Sequence, residues 1–374
     1  MKKVIVILII CSLVLPTTVR AEEAAPGVSA AAWAVYDATA ERFLATGNAD
    51  EQRRMASTTK IMTAIVALEN FQLDAEVEFS REMMAEGSSM YLQFGEQVAL
   101  SDLLRGLMMM SGNDAARAIA SLADGGEEGF VELMNRKAAS MGLKSTSFAN
   151  PNGLDAEGHY TTARELALIA AEGMKNETFR EIVSTASGVF AGRAMTNHNK
   201  LLRSVDGCVG VKTGYTTGAG RCLVSAVERD GRLIIITTLY DPNDWRDHKA
   251  LAEWAFERYS PVELAREGTV TEYLPIEGGT SPKAAVCAAE SLVLSLSSEE
   301  AERVEKRVYL PKFVYAPVER GERVGEIEFL LDGETIGRVE LRFDAEVSRV
   351  EPRELNFGEK VKDLFETLAW KLGL

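Results

Sequence analysis

The chain has 374 residues, 46% of them apolar and 26% charged, enough for two or three domains and unlike a disordered or fibrous protein. Its 41 basic and 56 acidic residues leave a formal charge of −15, a surface that repels nucleic acid and anionic lipid at long range. His159, His198 and His248 lie far apart, and no His-Glu-x-x-His or Cys-x-x-Cys pattern occurs, so neither metal nor cofactor is expected.

Lys2 and Lys3, an apolar run over residues 4–15, then Pro16 and Val19-Arg20-Ala21 make residues 1–21 a secretory signal peptide, too short for a comfortable membrane span. The mature chain is expected to begin at Glu22, outside the cytoplasmic membrane. Cys11 lies inside the signal, and Ile10 before it is unsuited to a lipoprotein site. Cys208, Cys222 and Cys287 remain, an odd number and no disulfide framework. Cys208 and Cys222 bracket a hairpin, which leaves a bond or two buried thiols open.

After a small-residue linker over 22–29, residues 30–36 and 42–45 read as a hairpin around a turn at 37–41. Residues 61–68 read as a buried helix. Over 101–122, Leu103, Leu104, Leu107, Met108, Ala115, Ala116, Ile119 and Ala120 recur at helical spacing, broken at Ser111-Gly112-Asn113, where short polar side chains turn into a cleft. Residues 130–141 and 161–174 give two more amphipathic helices. Residues 207–214, 222–227 and 232–239 then form an antiparallel meander, closed by a helix over 245–259.

Near Ser260-Pro261 the pattern changes to short alternating segments at 269–273, 291–296, 324–331 and 335–343, a small all-β domain. The tail returns to helical spacing, with Phe357, Val361, Leu364, Phe365, Leu368 and Leu372 on one face. Such a helix either lies in a membrane interface or packs on the chain's own core. The expected divisions are 1–21, 27–262, 266–350 and 354–374.

The chemistry centres on Ala56-Ser57-Thr58-Thr59-Lys60. Ser57 and Lys60, three residues apart at a helix start, emerge on one face within reach. A serine hydroxyl attacks only when a base takes its proton, and a lysine is that base only if burial or nearby positive charge lowers its pKa. Alone, Ser-x-x-Lys is more often an N-cap followed by a solvated lysine. Here Ser111-Gly112-Asn113 and Lys212-Thr213-Gly214 follow it in order, the first in a helix break and the second on a strand ending in a turn. Ser-x-x-Lys, Ser-x-Asn and Lys-Thr-Gly in that order form the signature of penicillin-binding proteins and class A β-lactamases.

The chain resembles the low-molecular-mass penicillin-binding proteins that are D-alanyl-D-alanine carboxypeptidases, serine peptidases, also in Gly87-Ser88-Ser89-Met90-Tyr91-Leu92, Phe148-Ala149-Asn150-Pro151-Asn152-Gly153-Leu154 and His159-Tyr160-Thr161-Thr162. The resemblance implies an α+β fold. It would comprise a β-lactamase/transpeptidase-like catalytic domain, with about five antiparallel strands flanked by helices and a helical insertion, then the small β domain and a terminal helix holding the enzyme at the outer membrane surface. It implies an exported enzyme acting on peptidoglycan stem peptides and acylated by β-lactams. Ser57 would attack, Lys60 would be the general base and Ser111 would relay a proton to the leaving amine. Asn113 would bond the substrate amide, Lys212 and Thr213 would hold the terminal carboxylate, and Gly214 would let substrate backbone lie on the strand edge. The N–H groups of Ser57 and Tyr215 would form the oxyanion hole. His198 stands where some relatives carry arginine; it and His159 are otherwise read as structural. Between the second and third motifs no Glu-Pro-x-Leu-Asn loop supplies a β-lactamase's deacylating base, and Glu351-Pro352-Arg353-Glu354-Leu355-Asn356 only superficially resembles one. A D,D-endopeptidase uses the same set, and a catalytically idle peptidoglycan-binding component is the reading from another class.

Overall fold

The computed structural model describes residues 25–351 and 356–372; the signal-peptide reading of 1–21 lies outside them. Strands β1 (Ala32–Asp37) and β2 (Arg42–Gly47) form the first hairpin, and α1 (Lys60–Asn70) follows a single 3-10 turn at Ala56–Thr59. Two short strands, β3 (Glu76–Glu78) and β4 (Gln97–Ala99), precede α2 (Leu100–Met109), α3 (Asn113–Ala120), α4 (Gly126–Ser140) and α5 (Ala163–Met174). The helix break falls where the Ser111-Gly112-Asn113 spacing puts it.

Several elements were not foreseen in the sequence, β3 and β4 among them. Helix α6 (Glu177–Ser184) is capped by Asn176, whose side chain accepts from the Phe179 N–H at 3.0 Å. Strands β5 (Ser187–Phe190) and β6 (Arg193–Thr196) turn at Ala191 and Gly192, both at positive φ, as a tight hairpin demands.

The meander is β7 (Cys208–Thr216), β8 (Gly220–Arg229) and β9 (Arg232–Leu239), followed by α7 (Asp244–Arg258). With the first hairpin it makes a five-stranded antiparallel sheet in the order β2-β1-β9-β8-β7. Its strands read as apolar runs because both faces are covered. Ile235, Val224 and Cys222 turn to the core shared with α1, α2 and α5, while Ile234, Ile236 and Leu223 meet Leu251, Ala252 and Ala255 of α7. The described cysteines, Cys208, Cys222 and Cys287, are free thiols.

The Ser260-Pro261 boundary falls inside a strand. β10 (Tyr259–Ala265) begins as α7 ends, and is followed by β11 (Val270–Glu277), β12 (Lys283–Ala288), β13 (Leu292–Ser297), α8 (Ser298–Arg303), β14 (Glu305–Tyr309), β15 (Val314–Tyr315), β16 (Arg323–Leu331) and β17 (Glu334–Phe343). β10 pairs with β13; the other six strands form a second sheet with its own core around Leu274, Val286, Phe329 and Leu341. Polar contacts join the two units. Arg42 donates to Glu300 and to the Ser295 carbonyl, Arg258 to Glu299, and the Tyr259 hydroxyl to the Leu44 carbonyl. The buried Asp37 accepts from Arg232 and from the Ser295 hydroxyl. Helix α9 (Phe357–Leu372) leaves Phe357, Leu364, Phe365 and Leu368 exposed, so it does not bury that face on the core. No helix among the described residues is long and apolar enough to cross a membrane.

Candidate active site

Ser57 lies on the 3-10 turn rather than on α1 itself, with Ala56, Thr58, Thr59 and Lys60 buried around it. The turn is pinned from below. The Thr58 hydroxyl donates to the Met55 carbonyl and that of Thr59 to the Ala56 carbonyl, while His159 Nε2 sits 2.8 Å from Thr59 Oγ1. His159 Nδ1 accepts from the Ala149 N–H at 3.0 Å, which fixes the proton on Nε2. Burial, its largest influence, lowers the imidazole pKa to about 4 and keeps it neutral. His159 thereby ties the loop around Asn152 to the nucleophile turn, a structural part as the sequence suggests.

Lys60 is fully buried, and its Nζ has three oxygens around it: Ser57 Oγ at 2.9 Å, Asn113 Oδ1 at 2.7 Å and the Asn152 carbonyl at 2.5 Å. Burial depresses its pKa far below that of an ordinary lysine; the charge of Lys212 depresses it further, and Asp114 opposes both. A neutral amine has two N–H bonds and one lone pair. The Asn152 carbonyl can only accept, and Asn113 is held as an acceptor because its Nδ2 donates to the Glu86 carbonyl at 2.5 Å. The two N–H bonds therefore go to these, and the lone pair faces the one partner able to donate, the Ser57 hydroxyl.

The other motifs meet the same spot. Ser111 holds φ = 59° between α2 and α3, a left-handed turn that puts it in the cleft wall. Asn113 is buried beneath the cleft, with both polar ends engaged as described. Lys212 is buried under β7 and donates to the Thr213 carbonyl at 2.9 Å; burial lowers its pKa to about 7. Thr213, Gly214 and Tyr215 line the cleft, and Gly214 is so close to the nucleophile turn that a Cβ there would come within 3.0 Å of the Ser57 backbone nitrogen. The cleft holds about 270 Å³. A larger groove of about 860 Å³ between α5 and β9 carries none of the three motifs, so the chemistry selects the smaller one.

A family model described as D-alanyl-D-alanine carboxypeptidase matches residues 18–243. The chain belongs to this family. A second model, the penicillin-binding protein 5 C-terminal domain, matches residues 259–349. The D-alanyl-D-alanine carboxypeptidase DacF of Bacillus subtilis is 30% identical over 77% of this chain and 78% of its own, and DacC of Escherichia coli is 32% identical over 86% and 85%. Penicillin-binding protein 5 of Haemophilus influenzae superposes with a TM-score of 0.75 at 26% identity, covering 87% of this chain and 99% of that one. The resemblance in the sequence and the α+β fold expected from it are both borne out.

Within this carboxypeptidase fold, several site residues carried no sequence signal. The Asn152 carbonyl is backbone and has no signature. Asp114 accepts from Ser89 Oγ at 2.6 Å and from the Met90 and Leu92 N–H groups, holding the segment above the cleft; a carboxylate in the first turn of a helix was its one hint. Arg221, Asp244 and Trp245 complete the wall.

Proposed function

We propose that the chain removes the terminal D-alanine from peptidoglycan stem pentapeptides through an acyl-enzyme on Ser57. The observation that carries this reading is the hydrogen-bond inventory at Lys60, which leaves its lone pair to the serine hydroxyl. Ser57 Oγ attacks the carbonyl carbon between the two D-alanines while its proton passes to Lys60 Nζ. The backbone N–H groups of Ser57 and Tyr215 stabilise the oxyanion. As the C–N bond breaks, the proton moves from Lys60 by way of Ser111 to the leaving amine, and D-alanine departs. Water then attacks the ester, gives a proton to Lys60, and the serine is restored.

Lys212 supplies positive charge beneath Thr213, whose hydroxyl meets the terminal carboxylate, and Gly214 lets the substrate backbone lie along β7 as an added strand. Asn113 has one N–H and one oxygen lone pair beyond its bonds to Glu86 and Lys60, and these are what it offers the substrate amide. β-Lactams, imitating the D-alanyl end, acylate Ser57. The reading includes export by residues 1–21, catalysis within 27–262, a β-rich spacer over 266–350, and contact of 354–374 with the outer face of the cytoplasmic membrane.

Intact mass after exposure to a penicillin tests the reading, alongside D-alanine release from a stem pentapeptide. One adduct on the wild type, none on Ser57→Ala and release only by the wild type are expected. A folded wild type that neither takes the adduct nor releases D-alanine would leave an idle peptidoglycan-binding component.

A further inference from the structure

Lys212 cannot by itself read a substrate carboxylate from the cleft, because it is buried and donates to the carbonyl of Thr213. His198 lines the cleft, but burial, and then the charge of Lys212, disfavour its cationic form. Among the described residues of the cleft wall, the permanent cation is Arg221.

The sheet register sets where it stands. Arg221 pairs with Tyr215 and Leu223 with Thr213 across β7 and β8, so Arg221 and Thr213 are diagonal neighbours on one face, within reach of a long side chain. Lys212 pairs with Val224, on the opposite face. Two residues at the start of α7 orient the guanidinium. Asp244, 2% exposed, takes Nη2 on both carboxylate oxygens at 2.8 Å, and Trp245 lies under the guanidinium at 5.5 Å. Nη1 and Nε donate to no protein atom among the described residues, Nε while buried. A buried, unused donor on a cation fixed beside Thr213 is the arrangement that receives a carboxylate.

We propose that Arg221, oriented by Asp244 and Trp245, is the specificity-determining residue that reads the free C-terminal carboxylate. This rests on the carboxypeptidase reading above. Arg221 supplies the charge on the cleft side and Lys212 the charge from beneath, with the Thr213 hydroxyl between them. Asp244 holds one end of the guanidinium and leaves the other for substrate, so release is confined to a terminal residue.

The test compares kcat/KM for a peptide ending in D-alanyl-D-alanine with that for its C-terminal amide. For Arg221→Ala, the preference for the acid over the amide is expected to fall about ten- to a hundredfold, the scale of a lost charged hydrogen bond. The double variant Arg221→Ala with Asp244→Asn removes the buried unpaired carboxylate and should show the same fall if the single variant folds poorly. Arg221→Lys keeps the charge without the planar fork and should fall in between. A preference equal to the wild type's in the folded variants, whether both rates drop together or neither does, overturns the proposal. A wild type that cleaves neither peptide, releasing no D-alanine from the acid and no D-alaninamide from the amide, overturns the carboxypeptidase reading instead.

Discussion

Lys60 and Lys212 bury two lysine side chains around one site, and among the described residues neither has a carboxylate within ion-pair distance. The positive charge of Lys212 helps to hold down the pKa of Lys60. Removing that charge in Lys212→Met lets Lys60 keep its proton to higher pH. The acid limb of penicillin acylation, read as adduct formation against pH, is expected to move upward. A limb that stays in place or moves down would show that burial alone sets the basicity of Lys60.

Lys212 also has a stability signature. Its folded pKa of about 7 lies below the ordinary 10.5, so between these values the unfolded chain binds a proton that the folded chain lacks. Stability then rises with pH across that window and is lost as pH falls towards 7. Lys212→Met should be more stable than the wild type at pH 7 and should show a flatter melting temperature between pH 7 and 10. Parallel curves would be evidence against a lowered pKa at Lys212.

At Gly214 the contact is with backbone, which cannot rotate away. In Gly214→Ala the new methyl meets the Ser57 and Thr58 nitrogens at 3.0 and 3.1 Å. The expected cost is about 1–3 kcal/mol in stability. Acylation should fall on the order of 10²–10³-fold as the oxyanion donors shift. Wild-type acylation in this variant would mean that the strand edge is not registered against the nucleophile turn.

Asp37 ties the first sheet, where Arg232 lies, to Ser295 of the β10–β13 pair. In Asp37→Ala the guanidinium of Arg232, itself 6% exposed, loses its carboxylate, and the expected loss is about 3–5 kcal/mol in urea unfolding. A loss under 1 kcal/mol would indicate that water or the Tyr259 carbonyl replaces the pair.

The chain ended after residue 351 lacks α9 and its exposed Phe357, Leu364, Phe365 and Leu368. It should keep D-alanine release in solution and lose sedimentation with zwitterionic lipid vesicles. Equal sedimentation of both forms would remove the membrane role from this helix.

Much of the site is legible in the sequence because covalent spacing fixes it. Ser57 and Lys60 are one turn apart, and the break at Ser111-Gly112-Asn113 is written in the loss of helical spacing. The Lys212 strand is announced by the apolar runs around it. What could not be read depends on long-range placement. The Asn152 carbonyl reaches Lys60 through loop geometry, Arg221 faces the cleft through cross-strand register, and Asp114 looks like any acid in a first helical turn. In the fold, α6 and the β5–β6 hairpin were passed over, although the Asn176 cap and the Ala191-Gly192 turn marked them. The second sheet gave only part of its strands: β14 and β15 are short and mostly exposed, and the small residues of β12, Lys283–Ala288, show no polar alternation.

One edge of the first sheet, β2, is tied at Arg42 to Glu300 and the Ser295 carbonyl of the second unit. The other edge, β7, is left without a partner strand. An open edge invites indiscriminate aggregation, because its unpaired N–H and C=O groups template any passing strand. Here the cleft residues recess it, and the Ser57 turn packs so closely on Gly214 that a Cβ there would lie 3.0 Å from the Ser57 nitrogen, which obstructs pairing by a strand of a neighbouring copy. The recess that admits substrate also keeps copies of this chain from polymerising edge to edge.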